Sequence, residues 1–166
     1  MMKVLVPMNR SQRSEAVADH LTRLARHTGG LEVTLLHVAP RLTRHAARWV
    51  PKANRVAAAR DEARAALTPL ANRLRAAGVK CEMHSARGEL AEAVATTAAA
   101  KGCTDIVMGS RRRSSLLRFL GNSAANRVMA RTAVPVAVIP EGTASLVERF
   151  VVPSGVGAAL VLLALD

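Results

Sequence analysis

The sequence contains no tyrosine, one tryptophan and two phenylalanines. Its only aromatic residues are Trp49, Phe119 and Phe150. Proteins that hold single-stranded nucleic acid without sequence preference stack the bases on aromatic rings. The scarcity of rings argues against a stacking platform of that kind, although not against loose attraction to phosphate. Cysteine is equally scarce. Cys81 and Cys103 cannot form a disulfide scaffold and are too far apart for a Cys-x-x-Cys motif. The five histidines, His20, His27, His37, His45 and His84, include no pair at zinc-site spacing. Ser110, Ser114, Ser115 and Ser123 sit in no nucleophile-elbow pattern. Acidic residues are also few, 12 against 24 Lys and Arg, for a net charge of +12. Long apolar runs are missing until the end of the chain, which excludes a polytopic membrane protein. The opening Met1–Pro7 is too short an apolar run for a signal peptide, so the expected location is the cytoplasm.

What is present is a chain of 166 residues, half of them hydrophobic. That length suits one domain with a core of Ala, Val and Leu, and the apolar share excludes disorder as the main state. The positive balance points toward acidic partners such as nucleotide, nucleic acid or anionic lipid. A solvated Arg-rich surface is the plainer reading, because many of these arginines lie in Ala-rich helical stretches. No specific nucleic-acid partner is expected.

Val4-Leu5-Val6-Pro7 reads as a short buried strand. Asn9 or Ser11 can cap the helix that follows, where Ala16, Val17, Leu21, Leu24 and Ala25 recur at helical spacing until Gly29-Gly30. Leu31–Val38 is a second strand. A basic connector holding Trp49 leads to Pro51 and a long Ala/Arg helix to about Ala77, which Pro69 should kink or divide. Val79, Cys81 and Met83 alternate with Lys80, Glu82 and His84, giving a third strand exposed on one face. Gly88-Glu89 opens a helix that Gly102 stops. Asp105–Met108 is a fourth strand ending at Gly109, and Asp105 should fix the preceding turn. Asn122-Ser123 caps a helix to about Arg131, and Val136–Ile139 is a fifth strand.

Strands alternating with helices imply an α/β fold, a doubly wound parallel sheet with helices on both faces. Ligands in such sheets bind beyond the carboxyl ends of the strands, at the topological switch point. The loops that matter are therefore Met8–Ser11 and Gly109–Ser123.

Those loops carry a family resemblance. Val107-Met108-Gly109-Ser110-Arg111-Arg112-Arg113-Ser114, Leu120-Gly121-Asn122-Ser123-Ala124 and Val134-Pro135-Val136-Ala137-Val138-Ile139 resemble the universal stress protein family. The opening Val4–Ser11 is similar to that family's first strand and loop. Leu35-Leu36-His37-Val38, Gly88–Ala93 and Thr104–Gly109 agree as well. The likeness runs over about residues 2 to 140. It implies a Rossmann-like domain over 1–140 with five parallel strands in the order 3-2-1-4-5. It also implies a homodimer through the fifth strand, whose apolar edge is a liability unless covered.

Many members of that family bind ATP through Gly-x-x-Gly, about nine residues, then Gly-Ser or Gly-Thr. Glycines let the backbone approach phosphates, and amides at the next helix start donate to them. Here Gly109 fits the first position, Arg112 replaces the second glycine, Asn122 replaces the third and Ser123 keeps the hydroxyl. The Asp that usually ends the first strand is Asn9. Arg112 either fills the phosphate space or neutralises phosphate. These departures favour an altered or absent ATP site over an ordinary one. By resemblance, adenine would rest near Met8, Asn9 and Val38. Phosphates would approach Gly109, Ser110, Arg112, Asn122, Ser123 and Ala124. His37 is expected to be a packed strand residue. No catalytic residue and no metal ligand is expected.

Residues 141–149 read as a polar linker and 150–166 as an apolar helical tail broken by Pro153, Gly155 and Gly157. A helix over 150–165 would reach about 24 Å, short of the roughly 30 Å hydrocarbon core. The tail can insert in a membrane, pack on protein, or dock to a membrane protein. The leading expectation is a non-enzymatic cytoplasmic regulatory protein of the universal stress type, binding an adenine nucleotide at a modified site. The alternative is a membrane-recruited interaction module without nucleotide.

Overall fold

Alternation along the first strand decides how the layers form. Val4, Leu5 and Val6 are all fully buried, as in a central parallel strand covered on both faces. Successive side chains point to opposite faces. Val4 and Val6 therefore enter one core and Leu5 the other. The structure is a computed structural model. It describes residues 1–8, 15–40, 52–110, 124–140, 148–151 and 159–160, of which 52–55, 110, 140, 148–151 and 159–160 are described in backbone only.

The elements follow in the order β1 (Met2–Met8), α1 (Glu15–His27), β2 (Leu31–Ala39), α2 (Lys52–Ala76), β3 (Lys80–Arg87) and α3 (Leu90–Lys101). After them come β4 (Asp105–Ser110), α4 (Ala124–Met129), β5 (Val136–Pro140), β6 (Glu148–Val151) and β7 (Ala159–Leu160). The sheet order is β3-β2-β1-β4-β5-β6-β7. Its first five strands are parallel, in the expected order 3-2-1-4-5.

The first core joins the sheet to α1 and α2. Val17, Ala18 and Leu21 come from α1, and Leu67, Leu70, Ala71 and Leu74 from α2. The second core joins the other face to Ala91, Val94 and Ala98 of α3 and to Ala125 and Val128 of α4. Pro69 does not divide α2, which runs unbroken from Lys52 to Ala76. Leu67 and Leu70, on either side of the proline, are each 1% exposed, so packing outweighs the local penalty. Gly102 ends α3 with φ +61, and its amide reaches the carbonyls of Ala98 and Ala99. Thr104, rather than Asp105, ties the turn before β4 to β1. Its amide donates to the Lys3 carbonyl at 2.8 Å, and its hydroxyl lies 3.2 Å from both the Lys3 amide and carbonyl.

The apolar tail departs from expectation. Its described residues are extended, not helical. β6 pairs antiparallel with β5, and β7 with β6. The apolar edge of β5 offers unpaired backbone groups, whereas Pro153, Gly155 and Gly157 work against a helix. The edge expected to meet a second copy is thus taken by the chain's own β6. Among the described residues, no helix is long and apolar enough to cross a membrane.

Candidate functional site

The site is set by where the sheet changes direction. From β1 the chain winds outward to β2 and β3. It then crosses back to β4 and winds the other way to β5. β1 and β4 are neighbours, with Val4 opposite Asp105 and Leu5 opposite Ile106. That register, carried on, brings Met8 level with Gly109. In open α/β sheets, ligands bind outside the carboxyl ends of the strands at such a switch point.

Three expected site residues are described with their side chains at this end. Met8 is 6% exposed and packs in the first core, opposite His37 of β2. Val38 and Ala124 are partly buried against the second core. Gly109 stands beside Ile139, and Ser110 beside Pro140, at the end of the β4–β5 ladder. Met8, Val38, Gly109 and Ser110 therefore share one end of the sheet, and Ala124 begins the helix after the second loop. Asn9, Arg112, Asn122 and Ser123 lie outside the described residues.

His37 is buried, 3% exposed, as its strand position predicts. Its Nδ1 has no hydrogen-bond partner among the described residues. The neighbouring Ala39 carbonyl accepts from the Gly88 amide at 3.0 Å, which binds the end of β2 to the turn before α3.

Glu89 does more than open a helix. Its Oε2 accepts from the Glu92 amide at 3.0 Å and caps α3. Its Oε1 lies 3.4 Å from Nη1 of Arg127 on α4. One carboxylate thus caps α3 and faces Arg127 of α4, the helix that follows the Gly109–Ser123 loop in sequence. The amides of Glu92 and Ala91, then Arg127 and Arg131, hold its pKa below 4.5 against the opposing effect of burial. The available signal was an acid three residues before another acid at an apolar helix start. Its partner on α4 is invisible to local pattern.

Cys81 and Cys103 are free thiols, and burial raises the pKa of both. Among the described residues no three His, Cys, Asp or Glu side chains cluster to hold a metal ion.

The family model described as universal stress protein family matches residues 1–140. No curated protein matches the chain. Solved structures do. A universal stress protein from Archaeoglobus fulgidus in complex with dAMP is 23% identical, with TM-score 0.59, covering 84% of this chain and 98% of that one. A family member from Arabidopsis thaliana with AMP bound is 19% identical, with TM-score 0.62, over 86% of this chain and 93% of that one. A universal stress protein in complex with cAMP is 18% identical, with TM-score 0.62, over 83% and 96%. These likenesses establish the fold, and the nucleotides belong to those proteins.

Proposed function

As the chain belongs to the universal stress protein family, we propose that it is a non-catalytic regulatory protein that takes an adenine nucleotide at the carboxyl ends of β1 and β4. The observation that carries this reading is the switch point itself, with Met8 and Gly109 at the ends of adjacent strands. Relatives of the same fold crystallised with AMP, dAMP and cAMP support the adenine part. Adenine would lie against Met8, Asn9 and Val38. The phosphate side would meet Gly109, Ser110, Arg112, Asn122, Ser123 and Ala124.

Arg112 and Asn9 tune this site toward fewer phosphates. Arg112 falls where the family's ATP-binding pattern keeps a glycine, and a side chain at that position would compete for space with a β- or γ-phosphate while its charge would suit an α-phosphate. Asn9 lacks the carboxylate that would help hold a magnesium ion. A monophosphate is therefore favoured over magnesium-ATP. The protein acts in the cytoplasm, and it associates with a second copy through β5 when β6 is displaced. The membrane-recruited alternative gains no support from the described residues.

Calorimetric titration of AMP and of magnesium-ATP into the full-length protein tests the reading. AMP should bind at least tenfold more tightly than magnesium-ATP, and Arg112→Gly should narrow that ratio. Absence of binding by both nucleotides, in the parent and in the variant, would reject the site.

A further inference from the structure

The far edge of the sheet carries a second feature, unrelated to the switch point. β3 ends the sheet and pairs only with β2, along all eight of its residues. Its other edge has no strand beside it among the described residues. Cys81 packs into the first core, beneath α2. By the two-residue period, Met83 and Ser85 face α2 as well. Between this edge and α2 lies a cavity of about 160 Å³. Its apolar floor is Ala63, Leu67 and Met83, and its polar rim is Arg60, Arg64, His84 and Ser85.

The groove is positively charged at its rim. Four other cations of the described surface meet acids: Arg73 with Asp19, Lys80 with Glu32, Lys101 with Glu82, Arg127 with Glu89. Arg60 and Arg64 have no ion-pair partner among the described residues, and both are exposed. One helical turn apart, they lie on the same flank of α2 as Ala63 and Leu67, within about 100° of arc. Asp61 and Glu62 fall further round the helix. Two like charges this close repel each other, and an external anion relieves that repulsion.

We propose that this groove binds an extended acidic peptide segment, added as a strand along β3. The unpaired edge supplies backbone hydrogen bonds. Alternate side chains of the peptide turn toward α2, where carboxylates meet Arg60 and Arg64. Met83, 37% exposed, offers the apolar contact that a solvated edge would otherwise avoid. A small inorganic anion would use the two arginines but neither the strand edge nor the apolar floor.

The test uses full-length protein and three fluorescein-labelled ten-residue peptides in fluorescence anisotropy. One alternates Glu and Val, one alternates Lys and Val, and one is the Glu–Val peptide N-methylated at every second residue. The Glu–Val peptide should bind. The Lys–Val and N-methylated peptides should bind at least tenfold more weakly. The double variant Arg60→Ala/Arg64→Ala should lose about tenfold in affinity for the Glu–Val peptide, with an unchanged circular dichroism spectrum because both side chains are exposed. Equal binding of the Glu–Val and Lys–Val peptides, an unaffected double variant, or no binding of any peptide would overturn the proposal. Equal binding of the N-methylated peptide would overturn strand addition.

Discussion

Deleting residues 144–166 should convert a weakly associating chain into a firm dimer. β6 meets β5 at three residue pairs: Val136 with Phe150, Ala137 with Arg149 and Val138 with Glu148. A second copy paired through β5 would need the same backbone groups. The two occupants therefore compete. At a net gain of about 0.5 kcal/mol per residue pair, β6 holds the edge by about 1.5 kcal/mol. That is roughly a tenfold bias toward the covered state. Both copies must release β6 before they pair, so the dissociation constant of the full-length dimer should be weaker by about a hundredfold. Sedimentation equilibrium over a concentration series measures both constants. A synthetic peptide spanning residues 146–152 should shift the truncated protein back toward monomer. Dissociation constants within threefold of each other would refute the competition. So would a truncated chain that stays monomeric at high concentration.

Other consequences follow from single residues. Gly102 sits at φ +61 with open space around the position of a Cβ, so Gly102→Ala meets no clash and pays only for left-handed backbone. The cost should be about 1 kcal/mol in urea unfolding, and Gly102→Asn should cost less; an unchanged midpoint would show that the turn relaxes. Glu32 and Glu89 both have pKa values lowered from 4.5, Glu32 first by the hydrogen bond from Lys80 and Glu89 first by the Glu92 amide. The folded state thus keeps these charges to lower pH than the unfolded state does. Their contribution is complete above pH 4.5 and is lost as pH falls through the lowered values. Glu89→Gln should flatten the loss of stability between pH 4.5 and acid, followed by urea midpoints; an identical acid limb would exclude Glu89 as a contributor. Cys103 is 7% exposed with a raised thiol pKa, so iodoacetamide at pH 8 should label it at least tenfold more slowly than free cysteine. Rapid labelling would mean that the end of α3 opens readily.

The sheet was legible because its signals are local. Val4-Leu5-Val6, Leu31–Val38 and Val136–Ile139 are short apolar runs bounded by turn residues, and each is a strand. Gly102 was read as a stop and has the left-handed geometry that makes it one. Local signals failed where distant residues decide. Pro69 does not divide the helix, whose residues Leu67 and Leu70 are buried on either side of it. The composition of the tail reads as helical, yet its described residues pair as strands, Phe150 with Val136 of β5 and Val151 with Ala159. Glu89 announced a helix start but not its tie to Arg127, because that contact joins elements 38 positions apart. At the site, the family resemblance names Met8, Val38, Gly109 and Ser110 together, and they share one end of the sheet. That placement needed the family resemblance to bring β4 beside β1, since alternation of strands and helices does not specify their order.

The two outer strands of the parallel sheet differ in what pairs with them: among the described residues β5 has β6 beside it and the outer edge of β3 has no strand. β5 is Val136-Ala137-Val138-Ile139-Pro140, without a charge. An edge of that kind pairs with any extended chain, its own copies included. The protein meets this with a strand of its own, carried seven residues further on. β3 carries Lys80, Glu82, His84 and Arg87. Glu82 is engaged by Lys101 and Lys80 by Glu32, while Arg60 and Arg64 stand above the edge. Two copies brought together along β3 would oppose cation to cation, so this edge is protected against self-association without being closed. What it excludes by charge sign it admits by the opposite sign. An acidic strand meets no such barrier, and the same positive flank that keeps copies apart selects the partner that can approach.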